Sequence, residues 1–157
     1  SGLASGMPIS GVFSRMELMK KWTPGSHGGT YGGNAVAAAA GVATIRAMKE
    51  EKMLENAVER GGQLMAGLGQ LREKYPQIAD VRGLGLMVGT EFRDAKNKPD
   101  KATAKAVVGE CYKRNMLLLT AGTWDNTIRW IPPLIVTKEQ INDALGIFEE
   151  SLQAVTK

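Results

Sequence analysis

Residues 81–92 read VRGLGLMVGTEF, a run of branched, aromatic and other apolar residues broken by three glycines. This composition predicts extended chain over residues 78–92, because β-branched and aromatic residues favour strands. Isolated glycines within a strand usually mark a bulge or the close approach of another backbone. We therefore interpret residues 82–86 as a structural segment, and the role of Arg82 stays open.

Helical patterns lie on both sides of this segment. Before it, residues 54–75 carry apolar side chains at helical spacing, and Pro76 ends the pattern. After a polar turn at residues 94–100, a second helix is predicted over residues 101–114, and a third begins at a capping box formed by Thr137 and Gln140. The apolar faces comprise Ala57, Leu64, Leu68 and Leu71 in the first helix, Ala104, Val107, Val108 and Cys111 in the second, and Ile141, Leu145, Phe148 and Leu152 in the third.

Two short strands are predicted between the last two helices, at residues 116–120 and 127–131, around a turn at 122–126. From residue 54 onward the order is then helix, strand, helix, strand, strand, helix. Such an order suits an α+β unit with helices on one face of a small antiparallel sheet. We expect this α/β-class chain to form one domain over residues 53–157.

The first 52 residues do not obviously belong to that core. They predict a short strand at 10–14, a helical turn at 16–21, a glycine-rich loop at 22–33 and a helix at 34–52. Asn34 is a suitable N-cap, and the small apolar surface of this helix predicts burial on most sides. We expect residues 1–52 to be the edge of a larger domain, and the chain to be a piece of a longer protein.

Composition excludes several classes of protein. Hydrophobic residues make up 43% and charged residues 23% of the 157, which is typical of a globular chain and leaves no apolar run long enough to span a bilayer. The net charge of +4 is scattered, so we expect no nucleic-acid or membrane partner. We expect no signal peptide, and the single cysteine fits a reducing compartment, here the cytoplasm. One His and one Cys predict no metal site.

A glycine-rich loop at residues 26–34, SHGGTYGGN, stands directly before the predicted helix. Glycines let backbone N–H groups approach an anion, and a helix start adds free donors, so a phosphate cradle with the Thr30 hydroxyl is one interpretation. A flexible interdomain loop is the other. His27, within this loop, is interpreted as a loop residue and not as a catalytic base.

Arg129 stands alone between Ile128 and Trp130, ahead of residues 131–134, IPPL. Because an arginine inside an apolar strand is costly to bury unpaired, it should have an anionic partner, and its planar guanidinium suits a carboxylate. The partner is either a substrate carboxylate or a structural Asp or Glu. The sequence leaves both interpretations open.

Taken together, these segments resemble class III aminotransferases, which use pyridoxal phosphate. Residues 2–12 are similar to the stretch that follows the family's cofactor lysine, and residues 28–34 to its phosphate loop. Residues 81–87 resemble the first strand region of its small domain, and residues 122–129 with 132–134 its substrate-carboxylate segment. Four motifs in the family's order cover essentially the whole chain.

The resemblance implies a fold-type-I homodimeric enzyme that moves an amino group from an ω-amino acid, 4-aminobutyrate above all, to a 2-oxo acid. Residues 1–52 would end the large domain and include the interdomain helix, and residues 53–157 would be the C-terminal small domain. Gly29 and Thr30 would bind the cofactor phosphate, Thr30 that of the neighbouring subunit. Arg129 would bind the substrate carboxylate.

The sequence departs from the family at Ser1, where the lysine that holds the cofactor is expected. The resemblance therefore implies no catalytic residue in this chain and an inactive fragment that does not bind the cofactor covalently. Ala35 replaces a proline common in the family, with no expected effect. The alternative function is a non-catalytic α+β module that binds an anion or a protein partner, with Arg129 in a structural role.

Overall fold

The computed structural model describes residues 2–156 of the chain. The chain divides into two compact units, which meet in sequence between Lys52 and Met53. Among the described residues, no helix combines the length and the apolar character that crossing a membrane requires. Each unit has its own elements and is considered by itself.

The first unit consists of a 3-10 turn at Gly2–Ala4, a short helix α1 (Met16–Met19) and a long helix α2 (Ala35–Glu50). The predicted N-cap is confirmed, since the Asn34 side chain accepts a hydrogen bond from the backbone N–H of Ala37 at 3.0 Å. This bond satisfies one of the N–H groups that a helix start leaves without an intrahelical partner.

Two predictions for the first unit are wrong. No strand forms at residues 10–14, because this stretch finds no partner strand among residues 2–52 with which to form a ladder. Helix α2 is buried at Ala37 and Gly41 and is otherwise open to solvent along much of its length. Its small side chains permit close packing, but in this unit they meet little more than the 3-10 turn, where Ser5 and Thr44 hydroxyls lie 3.0 Å apart.

The second unit is an antiparallel sheet with helices on one face, which confirms the predicted fold class. In chain order its elements are α3 (Met53–Lys74), β1 (Ile78–Leu84), β2 (Met87–Phe92), α4 (Lys101–Lys113), β3 (Leu119–Ala121), β4 (Thr127–Trp130) and α5 (Lys138–Val155). Within the described residues the sheet has four strands in the order β1-β2-β4-β3, each antiparallel to its neighbour.

Burial alternates along the central strands and identifies the covered face. Val88, Thr90 and Phe92 of β2 are buried, and so are Ile128 and Trp130 of β4, whereas the residues between them are not. The covered face packs against the apolar faces predicted for the three helices. The other face of the sheet, called the open face below, carries Arg82, Gly89 and Arg129 among others.

The glycine-containing segment is not one strand but a hairpin. Leu84 pairs with Met87, so Gly85 and Leu86 form a two-residue turn, with Gly85 at φ +55°. The sequence prediction of a single extended stretch is corrected here. Leu86 concealed the turn, because it is a large side chain that lies buried where hairpin turns usually carry polar residues or glycine.

Strand β3 also lies further along the chain than predicted, at Leu119–Ala121 instead of residues 116–120. The backbone N–H of Met116 donates to the Cys111 carbonyl at 3.0 Å, so residues 114–116 close the end of α4 and do not join the sheet. The capping box of Thr137 and Gln140 at the start of α5 is confirmed in both of its hydrogen bonds.

Candidate functional site

Arg129 lies on β4 with its side chain on the open face of the sheet. Its neighbours Ile128 and Trp130 are buried on the opposite face, at 0% and 3% exposure. Trp130 is held there by a hydrogen bond from its Nε1 to the Thr90 Oγ1 at 3.0 Å, and its ring meets Phe148 edge to face at 4.9 Å. These contacts fix the orientation of β4 and so direct the guanidinium of Arg129 away from the core.

The structure corrects the premise that Arg129 is buried, because it is exposed. Its charge stays in contact with water, so the fold does not require an acidic partner to compensate for burial of that charge. Among residues 2–156, no salt bridge or side-chain hydrogen bond of Arg129 is found. The sequence left two interpretations open, a structural ion pair and a substrate carboxylate. Within the described part of the chain, no acidic residue forms the structural ion pair with Arg129.

The acidic groups on the open face are engaged elsewhere. Asp80 and Glu91 bind Arg82 at 2.7 and 2.8 Å, and Glu91 also accepts from Arg93 at 2.9 Å. The hydrogen bond that Arg93 donates, assisted by Arg82, lowers the pKa of Glu91, and the hydrogen bonds that Arg82 donates to Asp80 and Glu91 raise the pKa of Arg82. Because Asp80 and Glu91 are already paired with Arg82 and Arg93, they leave Arg129 available to a ligand.

A groove of about 510 Å³ lies beside β3 and β4. Its lining consists of residues 116–119, residues 129–133 and Ala144, and Arg129 is the only charged residue among them. An apolar surface with one guanidinium suits a molecule that carries a carboxylate at the end of an aliphatic chain.

Asn56 of helix α3 binds the segment that follows β4, just beyond the lining residues 131–133. Its Nδ2 donates to the Leu134 carbonyl at 2.7 Å and to the Val136 carbonyl at 3.0 Å. Gln63, two turns further along α3, donates to the Lys138 carbonyl at 3.0 Å. Asn56 could not be recognised from the sequence, since no local pattern indicates that a helical amide reaches a loop about eighty residues away.

The glycine loop lies in the first unit, and its two proposed cofactor ligands are both exposed. The loop contains successive turns, in which Gly32 N–H donates to the Gly29 carbonyl at 3.1 Å and Asn34 N–H to the Tyr31 carbonyl at 3.2 Å. A hollow of about 490 Å³ is lined by Gly29 and its neighbours, but Thr30 is not part of that lining. His27 packs against Trp22, with ring centroids 5.7 Å apart, as expected of a loop residue.

The backbone of this loop is open to solvent. A Cβ built on Gly28, Gly29 or Gly33 would meet no atom within 4 Å, so an anion can reach the backbone there. Thr30 adds an exposed hydroxyl donor. Within the described residues, no cluster of three or more metal-ligating side chains is present. Ser1, at the position expected for the cofactor lysine, lies outside the described residues.

Comparison with known proteins places this fold and these motifs among the aminotransferases. The family model for class-III aminotransferases matches residues 1–152. Acetylornithine aminotransferase of Clostridium acetobutylicum is 38% identical over 152 residues, which cover 96% of this chain and 37% of the relative. The Escherichia coli 4-aminobutyrate aminotransferase GabT is 37% identical over 150 residues, which cover 94% of this chain and 35% of the relative.

A solved structure shows the same likeness. Ornithine aminotransferase from Toxoplasma gondii, described with partial occupancy of PLP at its active site, superposes with a TM-score of 0.85 at 33% identity, over 99% of this chain and 36% of that one. The chain belongs to the class-III aminotransferase family, whose members depend on pyridoxal phosphate. It spans little more than a third of the length of the curated relatives it matches.

Proposed function

We propose that this chain is the C-terminal part of an aminotransferase that moves the amino group of an ω-amino acid, 4-aminobutyrate, to a 2-oxo acid by means of pyridoxal phosphate. The observation that carries the proposal is Arg129, an exposed arginine with no acidic partner among the described residues, in the lining of an apolar groove. The GabT relative supports the choice of amino donor, because it is named for 4-aminobutyrate.

In this proposal Arg129 binds the carboxylate through two parallel hydrogen bonds, which fix both its position and its direction. The methylene groups of the substrate then lie along apolar lining residues such as Leu119 and Ile131. A carboxylate held in this way orients the far end of the molecule, and such positioning contributes to rate by making the encounter with the reactive group intramolecular. Both the amino donor and the 2-oxo acid carry a carboxylate, so one arginine serves both.

Gly29 and Thr30 would hold the cofactor phosphate through backbone N–H groups and the Thr30 hydroxyl, with Thr30 acting on the neighbouring subunit of a homodimer. Residues 1–52 would complete the large domain and residues 53–157 would be the small domain. When bound, pyridoxal phosphate supplies the electron sink for amino-group transfer. Because Ser1 stands at the family's lysine position, we expect the 157 residues alone to be inactive.

The proposed setting is the cytoplasm, without a nucleic-acid or membrane partner. Its basis is the scattered charge of the sequence and its single cysteine, Cys111, which is buried and free.

The test is a chimera in which residues 2–157 replace the matching C-terminal part of Escherichia coli GabT, which supplies the upstream lysine. The chimera should transfer the amino group of 4-aminobutyrate to 2-oxoglutarate, and acetylornithine should be the poorer donor. Transfer from acetylornithine at a higher kcat/KM than from 4-aminobutyrate would contradict the proposed donor. A folded chimera with bound cofactor and no transfer from either would contradict the enzyme assignment.

A further inference from the structure

Gly89 occupies a special position on the open face of the sheet. In the register of the sheet, it pairs with Arg82 of β1 on one side and with Arg129 of β4 on the other. Val88 and Thr90 are buried, so position 89 points outward, like the two arginines. Since adjacent strands lie about 4.8 Å apart, the arginine backbones are separated by about 10 Å. Residue 89 places no side chain between them, and the Thr127 methyl group borders the gap.

The two arginines beside this gap differ in whether an acidic side chain is bound to them. Arg82 is bound to Asp80 and Glu91 at 2.7 and 2.8 Å, and Glu91 belongs to the next row of the sheet, opposite Thr127. Arg129 has no such partner within residues 2–156. A carboxylate that enters the gap therefore finds one available guanidinium, on the Arg129 side.

Backbone conformation does not account for glycine at position 89. Its φ lies outside the left-handed region, so other residues can adopt the same backbone. A Cβ there would lie 3.2 Å from the Thr127 Cγ2 and 3.9 Å from the Arg82 carbonyl oxygen. Alanine thus requires only a small shift of the Thr127 methyl group, while the γ atoms of a branched residue would take up more of the gap.

We propose that Gly89 determines which carboxylates reach Arg129, a specificity role that rests on the proposed function of Arg129. The space left by the missing side chain receives the carboxylate and the carbon next to it. Alanine narrows this space, so that carboxylates branched at that carbon are excluded before straight-chain ones. Valine closes it to both.

The experiment is an NMR titration of the ¹⁵N-labelled 157-residue chain with butyrate and with 2,2-dimethylbutyrate. The Nε–H signal of Arg129, assigned from Arg129→Lys, reports binding. We expect Gly89→Ala to retain the affinity for butyrate and to weaken the branched acid, and Gly89→Val to weaken both by about tenfold or more, the usual effect of a misfit of one or two carbon atoms. Ala121→Val adds similar bulk on the same face of β3 and should change neither affinity.

The titration distinguishes a failure of the Gly89 assignment from a failure of the carboxylate role of Arg129. If the unaltered chain binds butyrate at Arg129 and a folded Gly89→Val variant binds it equally well, the assignment of Gly89 is wrong and the role of Arg129 stands. If Gly89→Val does not fold, Gly89→Ala decides, and equal affinity for the branched acid overturns the assignment. If neither acid perturbs Arg129 in the unaltered chain, the carboxylate role of Arg129 fails, and the assignment of Gly89 fails with it.

Discussion

Gly61 on helix α3 packs directly against Gly85 in the turn between β1 and β2. A Cβ on Gly61 would overlap the carbonyl group and Cα of Gly85, and a Cβ on Gly85 would lie 3.5 Å from the Ala57 carbonyl oxygen. Helix and hairpin approach this closely because neither carries a side chain at the contact. The sequence left a bulge or a close backbone approach open for residues 82–86, and at Gly85 the structure shows a close approach to α3.

Gly61→Ala should destabilise the second unit by about 2 kcal/mol or more, because backbone atoms cannot give way as a flexible side chain can. Gly62→Ala is the matched control, since a Cβ there meets nothing within 4 Å. In a helix interior that change should stabilise by about 0.5–1 kcal/mol. Urea unfolding measures the free energy of unfolding of both variants. Equal values for Gly61→Ala and Gly62→Ala would show that the contact between Gly61 and Gly85 can widen without loss of stability.

Asn56→Ala should lower the free energy of unfolding by about 1–3 kcal/mol, because it removes two hydrogen bonds and leaves the Leu134 and Val136 carbonyls without their donor. Gln70→Ala removes an exposed amide from the same helix and should have little effect. Hydrogen exchange should in addition show faster exchange over residues 130–136 in Asn56→Ala alone. Uniformly unchanged exchange there would mean that proline and packing hold the segment without Asn56.

The helices and the fold class could be predicted from the sequence because their signals are local. Apolar residues recur at helical spacing in α3, α4 and α5, and capping by Asn34 and Thr137 depends on residues three positions away. The hairpin turn at Gly85 and Leu86 could not be predicted in the same way. Its apolar turn residue, Leu86, is buried in the core with residues distant in sequence, which no local pattern reveals.

The exposure of Arg129 was missed for a related reason. A strand with one solvated face usually alternates apolar and polar residues, but the open face here carries Leu84, Met87 and Leu119, exposed at 85%, 64% and 62%. Arg129 therefore appeared to be one polar residue in an apolar strand. Only the sheet register shows that it shares a face with Gly89 and that the acids of that face already have partners.

The ion pairs of Glu91 should make the second unit less stable in acid. Hydrogen bonding to Arg93, with help from Arg82, lowers the pKa of Glu91 below that of an unpaired glutamate in the unfolded chain. A lowered folded pKa gives stability that is present above the unfolded pKa and is lost as the pH falls through the folded pKa. The stability difference between the unaltered chain and Glu91→Gln should therefore be largest above about pH 5 and shrink toward pH 3.

Denaturant unfolding at a series of pH values measures this difference. Glu73→Gln is the control, because Glu73 forms no salt bridge among the described residues and its removal should give a smaller, flatter profile. A difference for Glu91→Gln that does not vary between pH 3 and pH 7 would show that its carboxylate contributes through shape and not through charge.

Arg129→Lys in the GabT chimera should raise the KM for both 4-aminobutyrate and the 2-oxo acid. Lysine keeps the positive charge but cannot form two parallel hydrogen bonds, and the loss of one charge-assisted bond corresponds to about 1.5–3 kcal/mol. The cofactor should remain bound, because its phosphate is assigned to the loop with Gly29 and Thr30. Each half-reaction is followed separately, and the bound cofactor is quantified by absorbance. Arg72→Lys, an exposed change in α3, is the control. Unchanged kinetics in both half-reactions would assign the carboxylate to an arginine elsewhere in the enzyme, and loss of cofactor would assign Arg129 to the phosphate.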